Sequence, residues 1–526
     1  MKNITIPHLF YFLSLLIISS SFAQYPNIRI DGPLSDAPEE VSITINPVDP
    51  NILAAGANLN HFYSSTDGGM SWSEKIMSST FNVWGDPCVL FDNVGNLYYA
   101  HLSNPANGYF IDRIVIQKST DNGMIWNDGA GVGFEFPKQQ DKEWLAVDFT
   151  QSPYKGNVYV TWTEFDRYGS SNPDDSSRIK FSKSTDQGEN WSDAITISDV
   201  SGNCLDGGNT TEGAVPCVGP NGEVYVSWAG PAGLVFDKST DGGETWGTDI
   251  FVSDIPGGWA FNVPGIYRCN GLPITMCDIG ESQFNGNIYI CWGDQRNGPT
   301  DTDVFFSRST DGGESWTPAL RVNSDFTARH QFFPWMTVDQ STGNIWGIFY
   351  DRRKTTGVAT DVYVVRSTDG GYTFENFKIS ESSFVPNSSV FFGDYNNIAA
   401  FNGKIYPIWT RLHGGQLSIW NTIITDTTTV SVDDEMLLPI SYSLFQNYPN
   451  PFNPATTISY QLPEPAFVTV EVFDVLGNKI ASLVQENKTV GVHEVSFDGS
   501  NLSSGIYLYQ IDAEGFHQSR KMMLTK

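Results

Sequence analysis

One octapeptide recurs six times along this 526-residue chain, and it decides what the chain can become. The copies begin at Ser65, Ser119, Ser184, Ser239, Ser309 and Ser367. Each keeps Ser-Thr-Asp, a glycine two residues after the aspartate and an aromatic residue at the eighth place. Successive serines stand 54, 65, 55, 70 and 58 residues apart, a period that marks a propeller or a stacked array. The motif has the chemistry of a strand-joining turn. The carboxylates of Asp67, Asp121, Asp186, Asp241, Asp311 and Asp369 can accept backbone N–H groups, and glycine supplies a positive φ. The closing aromatic can fold back between neighbouring sheets. These six aspartates read as structural turns, not catalytic groups.

Around each box, alternation and β-branched or aromatic runs mark four strands. In the fourth unit they fall at 214–218, 223–228, 234–238 and, after the box, 249–253. The third and sixth units repeat that order. Beyond the last box, 397–401, 404–410 and 417–425 form a three-strand unit without a box, and 26–30 is an orphan strand ahead of the first unit. Joining the orphan to the three closes a ring with no open edge. The expectation is an all-β propeller over residues 24–425, with seven blades favoured over six.

The octapeptides resemble the Asp box, or bacterial neuraminidase repeat, of sialidase-like propellers. That resemblance raises sialidase chemistry, in which three arginines hold the substrate carboxylate beside a Tyr–Glu nucleophile pair and an aspartic acid. The first of those arginines belongs to a Phe/Tyr-Arg-Ile-Pro motif. Here Ile28-Arg29-Ile30-Asp31 shares only Arg-Ile, and sialidases have six blades.

The ends of the chain carry other instructions. Residues 1–23 read as a signal peptide: Lys2, an apolar run from Leu9 to Ile18 and small residues before Gln24. No later stretch approaches the roughly 20 apolar residues of a membrane helix. Residues 426–443 are linker-like. From Leu444 to Lys526 the pattern is that of a small β-sandwich. The Asn447-Tyr-Pro-Asn-Pro-Phe-Asn-Pro454 string and the Gly505-Ile-Tyr507 ending resemble the type A sorting domain of type IX secretion cargo. That resemblance implies transfer by the type IX machinery and release or attachment at the cell surface.

Acidic residues outnumber basic ones by 59 to 30, which argues against a nucleic-acid partner. An acidic exported surface could bind calcium, though solubility is the simpler reading, and no cofactor is expected. Of six cysteines, Cys204 with Cys217 and Cys269 with Cys277 are plausible bridges. Cys88 and Cys291 sit in apolar strand patterns that suit buried thiols as well.

The rim opposite the boxes gathers the polar residues. Blade-entry loops hold Asp86, Asp141, Lys142, Glu143, Glu212 and Asp394. Loops between second and third strands hold Glu164, then Asp294 with Arg296, Asp351 with Arg352, and Arg411. Three arginines at one loop position suit an anionic ligand, with Asp294, Asp351 and Asp394 orienting them. The alternative is a ring of salt bridges fastening blade to blade. Glu143, Glu164 and Glu212 are the candidates for acid–base chemistry. Two functions follow: a non-catalytic propeller binding an extracellular glycan or surface protein, slightly favoured, or a sialidase-type glycosidase.

Overall fold

Each octapeptide folds into the same turn. The serine hydroxyl donates to the aspartate two residues on, as from Ser239 to Asp241 at 2.7 Å, and accepts the N–H of the second glycine, as from Gly243 at 2.8 Å. The aspartate then accepts the N–H four residues ahead, Thr245 in this copy, at 2.9 Å. Asp67, Asp121, Asp186, Asp311 and Asp369 make the same bond at 2.8–3.0 Å. That second glycine takes φ near +85°, and a Cβ on Gly243 would stand 2.4 Å from the Phe181 ring of the preceding sheet. The closing aromatic covers the same ring: Trp246 meets Phe181 edge-on at 4.9 Å, Trp126 meets Phe62 at 5.1 Å and Trp316 meets Phe236 at 5.1 Å. The box therefore turns one sheet and mortises it into the preceding one.

This computed structural model describes residues 25–325, 327–426, 442–444, 447, 450–489 and 491–526. The expected signal peptide and most of the 426–443 linker lie outside the described residues. Among the described residues there is no helix. The chain divides into two units, Met1–Thr427 and Thr428–Lys526.

The first unit is a β-propeller. Blade 1 runs from Ser42–Ile45 at the axis through Leu53–Ala57 and His61–Ser65 to Ser73–Ile76. Blades 2 to 6 repeat the order, starting from the inner strands Cys88–Phe91, Gln139–Val147, Glu212–Val218, Ile274–Cys277 and Gln331–Asp339. The seventh sheet begins at Asn397–Phe401, continues through Lys404–His413 and Gln416–Asn421, and takes Ile28–Arg29 as its outer strand. Ile28 lies opposite Asn421 and Arg29 opposite Trp420, where the orphan strand was expected. The inner strands touch in sequence order, and Asn397–Phe401 returns to Ser42–Ile45, so the ring is closed. An insertion sits between blades 4 and 5, where Ala260–Phe261 pairs with Cys269–Asn270 in a short ribbon.

Every cysteine is a free thiol, so the expected Cys204–Cys217 and Cys269–Cys277 bridges are corrected. The Cys269 and Cys277 sulfurs face the carbonyls of Asn270 and Asp278 instead. Five of the six are buried, and their environment makes them small apolar core residues.

The second unit is the expected small sandwich. Ser443–Leu444, Ala455–Leu462 and Gly491–Asp498 form one sheet; Lys479–Lys488, Ala466–Phe473, Gly505–Ala513 and Phe516–Leu524 form the other. Leu444, Phe452, Ile458, Val470, Tyr509 and Leu524 belong to the core they share.

Candidate functional site

At the rim opposite the boxes, the chain enters five of the seven inner strands through a kink. Glu40, Asp86, Lys142, Gly213 and Phe333 all take positive φ there, two residues before the inner strand resumes its regular pairing. The left-handed conformation is uncommon for residues with a side chain, and such strain gathers at functional sites. In blades 1 to 3 the kink sends a charged side chain towards the axis. Lys142 Nζ lies 3.2 Å from Asp86, 3.5 Å from Glu40 and within bonding distance of Asp394. The residue just before the kink is also acidic in three blades: Glu39, Asp141 and Glu212.

A second cation comes from the ribbon before blade 5. Arg268 donates from Nε to Asp394 Oδ1 at 2.9 Å and from Nη1 to Asp206 at 2.8 Å, and Tyr168 closes that corner on Asp206 at 2.6 Å. Below Lys142, Trp144 of blade 3 and Trp335 of blade 6 meet at 4.3 Å, with Tyr395 5.3 Å from Trp144. Trp144 and Trp335 come from blades 3 and 6, so the two indoles meet across the ring of inner strands beneath the entry rim.

A cleft of about 290 Å³ has a polar floor of Glu39, Glu40, Asn58, Asp86, Asp141, Lys142 and Arg268. Its walls are aromatic and open to solvent. Trp84 and Phe110 pack edge-on at 6.0 Å on one side; Tyr267 and Phe391 pack edge-on at 6.2 Å on the other. Tyr267 is 62 % exposed and Phe110 40 %, so both rings present apolar surface along the cleft.

Charge in the cleft is unbalanced. Asp394, though burial alone would raise it, is held below the ordinary carboxylate range by Lys142 and Arg268. Among the described residues Glu39 and Asp141 have no ion-pair partner of their own. Burial, with Asp86 and Asp394 nearby, pushes Glu39 up to about 8, and its Oε2 is buried without a partner. Burial and Asp86 carry Asp141 to about 7. Deeper in, burial drives Glu143 and Glu212 well above their ordinary values, and neither oxygen of either residue has a hydrogen-bond partner. Among the described residues no three acidic, histidine or cysteine side chains converge as a metal-binding set.

The structure distributes the sequence-predicted residues unevenly. Asp394 stands at the centre of the site, bonded to Lys142 and Arg268 rather than to an expected arginine. Glu143 and Glu212 lie close beneath, whereas Glu164 is held by Lys138 at 3.1 Å and Arg178 at 2.8 Å. Arg296, Arg352 and Arg411 share no partner and do not line the cleft. Arg296 clasps Asp294 from Nε at 2.9–3.0 Å and reaches the Asp254 carbonyl, as a blade fastener would. Arg352 is buried and donates to Thr360 and to the Pro264 carbonyl; Asp351 pairs with Arg353 at 2.6 Å, which corrects the expectation that it orients Arg352. Arg411 bonds Ser382 and lies over the Trp420 ring. Glu39, Glu40, Arg268 and the four wall aromatics were not foreseen.

Residues 446–525 match the family described as the secretion system C-terminal sorting domain. The tail is a type IX sorting domain, and the chain is exported to the cell surface or the extracellular space. No curated protein matches the sequence. Solved structures that resemble it include the Hadza microbial sialidase Hz136, at 15 % identity over 71 % of this chain and 73 % of that one, TM-score 0.40. Another is the Penicillium chrysogenum α-L-arabinanase complexed with arabinobiose, at 15 % identity over 76 % and 97 %, TM-score 0.41. A third is the NanB sialidase of Streptococcus pneumoniae, at 10 % identity over 73 % and 83 %, TM-score 0.43.

Proposed function

We propose that this protein is an exported carbohydrate-binding propeller and that its binding site is the cleft at the blade-entry rim. The observation that carries the proposal is the pairing of two open aromatic walls with a polar floor. A sugar ring has apolar faces and a hydroxyl edge, so it needs flat apolar surfaces flanking convergent hydrogen-bonding groups. Trp84 with Phe110 and Tyr267 with Phe391 supply the surfaces; Asn58, Glu39, Asp86, Asp141 and Arg268 supply the floor. Carboxylates outnumber cations on that floor, which speaks against the anionic ligand expected from the arginine pattern.

Direct binding tests the proposal. The full chain should bind members of a panel of extracellular oligosaccharides in calorimetry, and Trp84→Ala with Tyr267→Ala should abolish the heat while leaving the melting temperature within a few degrees. A double variant that binds as tightly as the parent refutes the site.

Hydrolysis is the second reading, and one observation favours it. Glu39 and Asp141 line the cleft with carboxyl groups that stay partly protonated near neutrality, the state a general acid needs. A glycosidase would release reducing ends from one of the bound sugars, and Glu39→Gln would stop that release.

A further inference from the structure

We infer that the sugar taken by the cleft is an amino sugar, whose ammonium group is received by the uncompensated carboxyl groups of the floor, Glu39 foremost. The inference rests on the carbohydrate reading above and narrows it.

Six carboxyl groups meet in and around the cleft: Glu39, Glu40, Asp86, Asp141, Asp206 and Asp394. Among the described residues two cations face them, and both are already engaged. Lys142 is surrounded by Asp394, Asp86 and Glu40, and Arg268 is divided between Asp394 and Asp206. Glu39 and Asp141 make no ion pair with either. Glu39 is 8 % exposed, and its Oε2, in a residue that lines the cleft, has no hydrogen-bond partner. A buried acceptor left empty costs free energy that a donor from a ligand recovers. A neutral hydroxyl recovers part of it; an ammonium also stabilises the carboxylate that forms when the group gives up its proton.

The walls point the same way. A cation close to an aromatic face is attracted by the ring quadrupole, and rings combined with carboxylates form the cages that bind ammonium groups. Lys142 and Arg268 already use this contact, 5.8 Å from the Tyr395 ring and 5.1 Å from the Phe391 ring. Trp84, Phe110 and Tyr267 keep faces open for a ligand.

Proton release follows from the same geometry. The groups facing Glu39 are Asn58, Tyr63, Asp86 and Asp394, and those facing Asp141 are Asp86, Glu143, Tyr168, Asp206, Glu212, Lys142 and Arg268. Burial and the neighbouring acids keep protons on Glu39 and Asp141, which give them up when an ammonium arrives.

Calorimetry on the full chain at pH 6.5, with the fully deacetylated β-1,4-linked glucosamine tetramer and its fully N-acetylated counterpart, decides the matter. The cationic tetramer should bind at least ~10-fold more tightly, as for one added charged hydrogen bond. Its heat should change with the ionisation enthalpy of the buffer in the sense of proton release. Glu39→Gln should bring the ratio of the two affinities to near parity, and Asp141→Asn should lower it if the first variant does not fold. N-acetylated binding equal to or tighter than cationic binding overturns the inference and leaves the carbohydrate reading standing. Binding of neither tetramer, nor of any sugar in the panel, overturns both. Tetralysine binding as tightly as tetraglucosamine assigns the cleft to bare positive charge and overturns the amino-sugar assignment.

Discussion

Arg268 Nε donates to Asp394 Oδ1 at 2.9 Å, tying the ribbon that precedes blade 5 to the entry loop of blade 7. The same carboxylate holds Lys142 of blade 3, so one aspartate gathers three parts of the ring that share no sheet. The knot is buried, with Asp394 3 % exposed and Lys142 6 %. Its strength depends on keeping all its members, because a buried charge left alone is far costlier than a buried pair.

Lys142→Met should therefore destabilise the propeller by about 3–5 kcal/mol at pH 8. The loss should be smaller at pH 5, because burial and Asp86 raise Glu40 well above the ordinary carboxylate range, so as pH falls it takes up a proton early and depends less on a cationic partner. Denaturant melts of the variant and its parent at both pH values measure the difference. An equal loss at the two pH values refutes the role given to Glu40.

The parent protein should itself lose stability as pH rises through the neutral range. Glu39 and Asp141 are raised to about 8 and about 7, so between their unfolded values and these the folded state binds more protons than the unfolded. The slope of stability against pH is then negative, and the contribution is complete below about pH 4 and gone above about pH 8. Asp394 acts in the opposite sense: its folded value is depressed, so its contribution is present near neutrality and disappears in acid. The melting temperature should fall from pH 6 to pH 9, and Glu39→Gln should flatten that fall.

The second glycine of each box, packed against a neighbouring ring, should not tolerate a side chain. Gly243→Ala places a Cβ 2.4 Å from the Phe181 ring in a backbone with φ +85°, so both space and conformation oppose it. A loss of more than about 1 kcal/mol is expected. Gly207 has no neighbour within 4 Å of its Cβ position and no positive φ, and Gly207→Ala should be nearly neutral.

Ion pairs on the two rims should differ in weight. Arg296→Ala strands the fully buried Asp294 and should cost about 3 kcal/mol. Lys183→Ala removes a bridge to Glu244, whose side chain is 71 % exposed, and should cost less than about 1 kcal/mol, less still in high salt. Thermal melts at low and high ionic strength separate the two.

Deleting residues 444–526 should leave a folded propeller on the inner side of the outer membrane of its native host. Fractionation with antibody detection checks this, and normal amounts of truncated protein at the surface or in the medium would contradict the sorting role.

Much of this architecture could be read from the residues. The boxes, the inner strands and the pairing of the orphan strand follow from a repeat that allows few alternatives, because each box needs a sheet on both sides. The site was half legible. Asp86, Asp141, Lys142, Glu143, Glu212 and Asp394 were placed on the correct rim, but the weight fell on arginines following an aromatic. That pattern serves Arg296 as a clasp on its own blade's aspartate, and a sequence cannot tell a clasped arginine from a free one. Glu39 and Glu40 escaped notice because they precede the first box. Arg268 and Tyr267 escaped because they lie inside the 70-residue interval, whose excess length was the available clue. Superposing inner strands would also have aligned Glu39-Glu40, Asp141-Lys142 and Glu212-Gly213.

The seventh sheet sets a condition on how the molecule comes into being. Asp31 accepts the N–H of Ile419, 388 residues later, at 2.7 Å, and Thr422 reaches the Pro26 carbonyl at 2.7 Å. Six blades are assembled from neighbours along the chain, but the clasp must bring together segments from opposite ends of the propeller. Contacts of such separation form late, after chain entropy has been reduced by everything between them. A copy that stops short of Gln416 would have nothing to pair with Ile28–Arg29 and would expose two raw sheet edges, which invite aggregation. Closure thus works as a test of completeness: only a chain made to the end of its last blade can hide both edges.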